Sequence, residues 1–253
     1  MPDGVPALVQ STDSFPQYAY GLLLAAVQAH RLGLRTMTAI ELGVAGGNGM
    51  VELERLAPEV SAHTGVSIGI VGFDLGVGMP APADHRDLPY IWQQGFFTMD
   101  EPLLRSRLTT SRLCLGDVAH TLPVFLAERP PAVGFVSFDL DFYSSTTAAL
   151  RAIMSGDRTC FLPRTICYFD DTVGPHEELH SRFAGELLAI EEFNATGPDR
   201  KFAQINGLQH KLHPLGESWI AGMYVLHDFA HRDYNTYIYH EPSRQFPLDP
   251  APE

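Results

Sequence analysis

Cysteines, basic residues and long apolar runs are all scarce in this sequence. The 253 residues include only three cysteines, Cys114, Cys160 and Cys167; these form neither a disulfide framework nor a zinc-type spacing. The 17 Lys and Arg residues are outnumbered by 30 Asp and Glu residues, which argues against binding to a nucleic-acid backbone. No apolar stretch is long enough to span a membrane, and the N-terminus does not resemble a signal peptide. We therefore expect a reduced, soluble, cytoplasmic protein with no nucleic-acid or membrane partner.

The order of apolar segments predicts an α/β fold. From about residue 36 to residue 228, strand-like segments alternate with helical ones, which is typical of a doubly wound, mostly parallel sheet with helices on both faces. The length suits one domain, so we predict a single domain over 1–253. A helical segment at about 15–34, a lid at about 76–97 and a tail at about 229–253 are expected to elaborate it. The lid is predicted because 76–97 is rich in Gly, Pro and aromatic residues and lacks regular periodicity.

Four aspartates follow two short apolar runs. Asp139 and Asp141 end VSFDLD, and Asp170 and Asp171 end ICYFDD. Buried parallel strands end at the same edge of a sheet, so we expect the two pairs to meet. Close carboxylates raise one another's pKa unless a cation lies between them, and Mg²⁺ prefers oxygen ligands of this kind. The two pairs together favour a metal site, although each pair alone is also explained by a solvated loop or a helix cap.

A glycine-rich loop lies upstream of these acids. The segment ELGVAGGNG, Glu41–Gly49, follows a predicted strand and opens a predicted helix. Small residues at Gly43, Ala45 and Gly47 let the backbone approach a ligand. The spacing differs from the GxGxxG dinucleotide fingerprint, and the next strand ends in Asp74, where a carboxylate can accept hydrogen bonds from ribose hydroxyls. These features predict a cofactor that contains adenosine.

The same motifs resemble those of a known family. ELGVAGGNG is similar to motif I of class I S-adenosylmethionine-dependent methyltransferases. The pattern DLDFYSST, followed later by Asp170 and Asp171, resembles the macrocin O-methyltransferase group, which methylates sugar hydroxyls on natural products. The resemblance covers about 39–226 and implies a Rossmann-like fold with a seven-stranded sheet. It also implies transfer of a methyl group from S-adenosylmethionine to a hydroxyl of a small molecule, assisted by Mg²⁺ or another divalent cation.

The resemblance also implies roles for single residues. The glycine loop would hold the methionine part of the cofactor, Asp74 the ribose, and the segment around Asp117 the adenine. The implied cofactor contacts are Glu41, Gly43, Ala45, Gly47, Asp74, Asp117 and Asp139, and the implied metal ligands are Asp139, Asp170 and Asp171. Asp141 matches the position of the general base. Since Asp139 and Asp141 are two residues apart on a predicted strand, they should share a face.

A second catalytic candidate is a histidine. The segment HEELHSRFAGELLAIEEFN predicts a helix over about 176–194, with Leu179 and Phe183 among its apolar positions. This helix would place His176 and His180 one turn apart. We take His176 as a candidate proton acceptor or additional ligand, while an exposed helix face explains both histidines equally well.

Several alternatives remain open at this point. The aromatic residues Trp92, Phe96 and Phe97 could stack on a flat substrate or simply be buried with the lid. The scaffold also suits another enzyme class, such as proteins described as cephalosporin hydroxylase-like, or a non-catalytic protein that binds the cofactor. The sequence names neither the substrate beyond a hydroxylated small molecule nor the oligomeric state, and homo-oligomers are compatible with it.

Overall fold

The strand-like segments form one seven-stranded sheet. The computed structural model describes residues 15–208 and 218–238. The strands are β1 (Thr36–Leu42), β2 (Ser67–Asp74), β3 (Arg112–Leu115), β4 (Val133–Phe138), β5 (Phe161–Phe169), β6 (Arg200–Gln204) and β7 (Met223–Asp228). Their order is β3-β2-β1-β4-β5-β7-β6. Only β7 runs antiparallel to its neighbours, so the predicted mostly parallel sheet is confirmed.

Helices cover both faces of this sheet. They are α1 (Pro16–Arg31), α2 (Asn48–Thr64), α3 (Glu101–Arg107), α4 (Val118–Ala127), α5 (Tyr143–Ser155) and α6 (Gly185–Thr196). Successive β1 side chains point to opposite faces: Met37 and Ala39 join the core under α1 and α2, whereas Ile40 and Leu42 join the core under α4, α5 and α6. The central strands are therefore buried on both sides, as parallel strands in such folds are. No helix of the described residues is long and apolar enough to cross a membrane.

The helix predicted over 176–194 is wrong in its first half. His176–Glu178 forms a short 3₁₀ turn, Leu179 has a φ of +53°, and α6 begins only at Gly185. Leu179 and Phe183, predicted to lie on the buried side of this helix, are 69% and 81% exposed. Positive φ at Leu179 and Gly185 interrupts the right-handed helical backbone.

Helix α1 lies in the predicted N-terminal segment, and part of the tail packs on the sheet. The segment 76–97, predicted as a lid, has no regular structure other than the 3₁₀ turn His85–Asp87. Within the tail, Tyr234 O–H pairs with His227 Nδ1 at 2.8 Å, and its carbonyl accepts from Arg164 at 2.6 Å. Residues 239–253 of the predicted tail lie outside the described residues.

Candidate cofactor and metal site

A cleft of about 630 Å³ lies at the carboxyl ends of the parallel strands. Such a volume is typical of sites for small molecules and cofactors. Most of the predicted site residues line it: Gly43, Ala45, Asp74, Asp117, Asp139, Asp141, Asp170 and Asp171. Glu41, Gly47 and His176 are not among the described residues that line it. The topology therefore brings the predicted cofactor loop and both acid pairs to one cavity.

The glycine-rich loop and the acids that follow β4 meet at Gly43. Its φ is +86°, a conformation that glycine adopts readily, and its N–H donates to the Phe73 carbonyl at 2.9 Å. A Cβ at this position would come within 1.7 Å of the Asp139 carbonyl oxygen. The β1–α2 loop therefore packs directly on the end of β4, and a side chain at Gly43 would separate the loop from the acids.

Asp74 fixes the shape of the loop as well as lining the cleft. Its Oδ2 accepts from Val44 N–H at 2.9 Å and Ala45 N–H at 2.8 Å, and its Oδ1 accepts from Gly76 N–H at 2.6 Å. An ionised carboxylate has about four acceptor positions, so about one remains for a ribose hydroxyl. The sequence predicted the position of this acid but not its bonds to the loop.

Glu41 lies beneath the loop, 2% exposed. Its Oε1 accepts from Tyr18 O–H at 2.7 Å, and Gly49 packs so closely that a Cβ there would meet Oε1 at 2.1 Å. Its Oε2 is buried and has no hydrogen-bond partner among the described residues. Burial raises the pKa of Glu41 to about 8, and Asp74 adds to the shift. Buried acceptors of this kind are normally paired, so this carboxylate has an oxygen available for a donor.

Asp117 caps α4 and also lines the cleft. Its carboxylate accepts from Ala119 N–H at 2.8 Å, as an N-cap does. The preceding residue, Gly116, donates to the Asp74 carbonyl at 2.8 Å, which ties the two segments together. The predicted adenine contact at Asp117 therefore borders the same space as the predicted ribose contact.

Three carboxylates converge at the end of β4. Asp139, Asp141 and Asp171 each offer an oxygen, and these atoms all lie within 4.8 Å of one another. Asp141 is not on the strand as predicted: its φ is +57°, and Phe142 N–H donates to the Leu140 carbonyl at 2.5 Å, which is a γ-turn centred on Asp141. Asp139 and Asp141 therefore do not share a strand face as predicted, and a strained turn brings their carboxylates together instead.

Asp170 lies beside this group rather than in it. Its Oδ1 accepts from Tyr168 O–H at 2.5 Å, and the Tyr168 side chain is buried. The compact set of carboxylates thus contains Asp141, the predicted base, where the resemblance implied Asp170. Asp170 still lines the cleft and retains acceptor capacity.

The electrostatics of the cleft favour a cation. Burial, followed by the neighbouring carboxylates, raises the pKa of Asp139 and Asp171 well above their usual range. Burial and then Asp170 raise the pKa of Asp141 to about 7. No Lys, Arg or His is among the described residues that line the cleft. A bound positive charge would relieve this repulsion.

Glu186 is a further acid beside the four aspartates, and it was not predicted from the sequence. Its side chain is 0% exposed, and its Oε2 accepts from Asp171 N–H at 3.2 Å. Burial, and then Asp139, Asp170 and Asp141, raise its pKa well above the usual range. A signal was present, because Glu186 shares the helical spacing of the buried α6 residues Ala189, Ile190 and Phe193. An acid within a buried apolar stripe needs an explanation.

The two histidines are not a helical pair. The His176 ring is 92% exposed and lies 3.2 Å from Glu177, so its predicted catalytic role has no support from its position. The His180 ring is only 9% exposed and contacts Glu178 at 2.7 Å. Glu178 lines the cleft and Glu177 is not among the described lining residues, so only His180 contacts a residue of the cleft wall through this pairing.

The lid covers one side of the cleft. Trp92 and Phe97 line it, with ring centroids 5.8 Å apart, and the indole N–H of Trp92 has no partner among the described residues. Tyr90 O–H donates to the Glu178 carbonyl at 2.6 Å. Phe96 is not among the described lining residues and is 43% exposed.

Comparison with known proteins identifies the fold. No family model and no curated protein matches the sequence. Among solved structures, the calicheamicin methyltransferase CalS11 superposes with a TM-score of 0.54 and 21% identity, over 88% of this chain and 89% of CalS11. The chain has the fold of a class I methyltransferase. An O-methyltransferase from Bacillus cereus in complex with SAH gives 15% identity and a TM-score of 0.45, over 88% of this chain and 87% of that chain. TomG, an O-methyltransferase from Streptomyces achromogenes involved in tomaymycin synthesis, gives 16% identity and a TM-score of 0.45, over 90% of both chains.

Proposed function

We propose that this protein transfers a methyl group from S-adenosylmethionine to a hydroxyl of a sugar or another natural product, with a divalent cation in the site. One observation carries the proposal: a single cleft contains both the loop with Gly43, Ala45 and Asp74 and the converging acids Asp139, Asp141 and Asp171. Contact between Gly43 and the Asp139 backbone makes the two halves adjacent. Adjacency is needed because methyl transfer requires the methyl donor and the acceptor oxygen to be aligned.

The cofactor half fits a positively charged sulfonium ligand. Gly43 and Ala45 present backbone to the cleft, the free acceptor position of Asp74 suits a ribose hydroxyl, and Asp117 borders the same space. The backbone of Asp139 contacts Gly43 and its carboxylate belongs to the acid half, and a bound positive charge would favour the ionised form of this acid, whose pKa is otherwise raised by burial. Cofactor binding would therefore offset part of the repulsion among these acids.

The acid half fits a hard divalent cation. Asp139 and Asp171 are the proposed ligands in the compact set, with Asp170 as the further ligand, and all three line the cleft. A divalent cation there would lower the pKa of a substrate hydroxyl. Asp141 is the proposed acceptor of the hydroxyl proton, because its carboxylate lies within 4.8 Å of those of Asp139 and Asp171 and would be near a hydroxyl held by the cation.

The fold supports this class of activity without naming the substrate. CalS11 is described as a calicheamicin methyltransferase, and extending methyl transfer to this chain is part of the proposal. The lid contributes Trp92 and Phe97 to the cleft wall, which suits a substrate with one apolar face. The substrate class proposed is therefore a hydroxylated natural product or sugar that offers a hydroxyl to the acids and an apolar face to the lid.

The test combines binding with turnover. S-adenosylhomocysteine should bind in the micromolar range, about −8 kcal/mol, when measured by calorimetry. Labelled S-adenosylmethionine and a panel of sugars and polyols should then give methylated product that disappears with a chelator and returns with Mg²⁺ or Mn²⁺. Binding of NAD in place of S-adenosylhomocysteine would support another enzyme class. Cofactor binding with no transfer to any acceptor would support a non-catalytic protein, and full activity after exhaustive chelation would remove the cation from the reaction.

A further inference from the structure

Glu186 has no role in the reaction proposed above, yet it is buried against the acids that carry that reaction. We infer that Glu186 is a positioning residue of the metal site. One of its oxygens holds the turn that carries Asp170 and Asp171. The other would accept a hydrogen bond from a donor that enters the site together with a cation. The inference rests on the proposed function.

The first step is a series of backbone hydrogen bonds that links three acids. Glu186 Oε2 accepts from Asp171 N–H at 3.2 Å, and Asp171 Oδ2 in turn accepts from Asp141 N–H at 2.9 Å. Each carboxylate therefore holds the backbone of the next acid. The position of Glu186 in the first turn of α6 sets the position of Asp171, and Asp171 sets that of the γ-turn at Asp141.

The second step concerns the other oxygen of Glu186. Oε1 is buried and has no hydrogen-bond partner among the described residues. A buried acid with a purely structural role in this protein looks different: Asp228, 1% exposed, has one oxygen bonded to Arg158 and the other to Arg200. Burying a carboxylate without such partners is costly.

The third step is the set of charges around Glu186. The carboxylates of Asp139, Asp170 and Asp141 disfavour its ionised form and, after burial, raise its pKa the most. A cation bound among these acids would attract the Glu186 carboxylate and offset this repulsion. Glu186 could then orient the metal ligands, as groups behind the ligands of a metal generally do. The same charge explains why an acid is retained on the buried face of α6 beside Ala189 and Ile190.

The test uses Glu186→Gln. Glutamine keeps the length of the side chain and an oxygen that can accept from Asp171 N–H, but it removes the negative charge and converts the other oxygen into a donor. Mn²⁺, titrated into the cofactor-free protein and followed by electron paramagnetic resonance, should bind about 10–100-fold more weakly. Affinity for S-adenosylhomocysteine should be nearly unchanged. The matched control is Glu191→Gln, which removes an exposed acid paired with Arg182 on the same helix and should bind Mn²⁺ as the wild type does.

A second variant separates positioning from simple structural support. Glu186→Ala also removes the bond to Asp171 N–H, so we expect it to lose at least as much Mn²⁺ affinity and to unfold at a lower temperature. A purely structural role predicts lower thermal stability for Glu186→Ala together with normal Mn²⁺ binding by Glu186→Gln, and that pair of results would overturn the inference. A wild-type protein that binds no Mn²⁺ would overturn it too. Failure of the methyltransferase proposal is distinguishable, because the wild type would then not bind S-adenosylhomocysteine.

Discussion

Among single residues, Asp141 combines an unusual backbone conformation with the proposed role of general base. Its backbone has a φ of +57°, which Asn tolerates better than most residues, so Asp141→Asn should keep the γ-turn while removing the base. We expect the turnover rate constant to fall by about 10²–10⁴, with Mn²⁺ and cofactor affinity nearly unchanged. Steady-state assays with parallel Mn²⁺ titrations check this.

The matched variant is Asp139→Asn, which should weaken Mn²⁺ binding because Asp139 is a proposed ligand. A large loss of Mn²⁺ affinity in Asp141→Asn would instead make Asp141 the third ligand of the compact set. Near wild-type turnover would exclude it from both roles.

In the proposed site, Asp74 would couple the loop to the cofactor. Asp74→Ala removes a carboxylate that accepts from Val44 N–H and Ala45 N–H and is the proposed acceptor for the ribose. We expect S-adenosylhomocysteine binding to weaken by roughly 1–3 kcal/mol, measured by calorimetry. Amide exchange at Val44 and Ala45 should become faster in the variant without ligand. Unchanged affinity together with faster exchange would restrict Asp74 to supporting the loop.

Among the helices and strands, the sequence predicted best those elements whose residue pattern follows directly from the geometry of the backbone. The buried strands were predictable because parallel strands need continuous apolar runs. The short helix α3 was not predicted, although Asp100, whose side chain accepts from Leu103 N–H at 3.0 Å, and Pro102 mark its start. The helix at 176–194 was overextended because apolar spacing says nothing about positive φ at Leu179.

The candidate site was predictable in outline for a similar reason. Strand ends define the cleft, so the acids that follow strands could be placed from the sequence. The γ-turn at Asp141 and the bond between Asp171 and Glu186 depend on contacts between distant segments. No local pattern predicts these contacts, and they decide which carboxylates converge.

The lid contacts α5 through a buried acid and through Arg86, which donates to the Tyr143 hydroxyl at 3.0 Å. Asp87, 1% exposed, accepts from Ser144 N–H at 2.8 Å, Ser144 Oγ–H at 2.9 Å and Ala83 N–H at 2.7 Å. It thereby supplies the cap that α5 lacks from its own N-cap residue, Phe142. Asp87→Ala should destabilise the protein by about 1–3 kcal/mol, because buried N–H groups lose their acceptor.

Hydrogen exchange followed by mass spectrometry should show faster exchange in 76–97 for Asp87→Ala. The control is His85→Ala, which removes a side chain that is 86% exposed in the same turn and should leave exchange nearly unchanged. Equal exchange in both variants would mean that the lid is held by other contacts.

At the scale of the whole molecule, the buried acids make stability depend on pH. The pKa of Glu41 is raised to about 8 and that of Asp141 to about 7, so the folded protein holds protons that the unfolded chain releases at lower pH. Stability therefore falls as pH rises toward these values. His227 and His231 act in the opposite direction, because burial lowers their pKa, but their effect ends near pH 6.5, the ordinary pKa of histidine.

Between about pH 6.5 and 8, the change of stability with pH consequently reports on the acids and not on these histidines. Between these limits the metal-free protein should lose roughly 1–3 kcal/mol of unfolding free energy, measured by urea titration in the presence of a chelator. Asp139, Asp171 and Glu186, whose pKa values are also raised, add to the loss. Added Mg²⁺ should stabilise the protein more at pH 8 than at pH 6.5. A ligand that binds only the folded state stabilises it more when it binds more tightly, and the ionised acids bind Mg²⁺ more tightly. A stability that rises across this window without metal would show that the acids are ionised and balanced by another positive group. Equal stabilisation by Mg²⁺ at both pH values would show that the cation does not bind to these carboxylates.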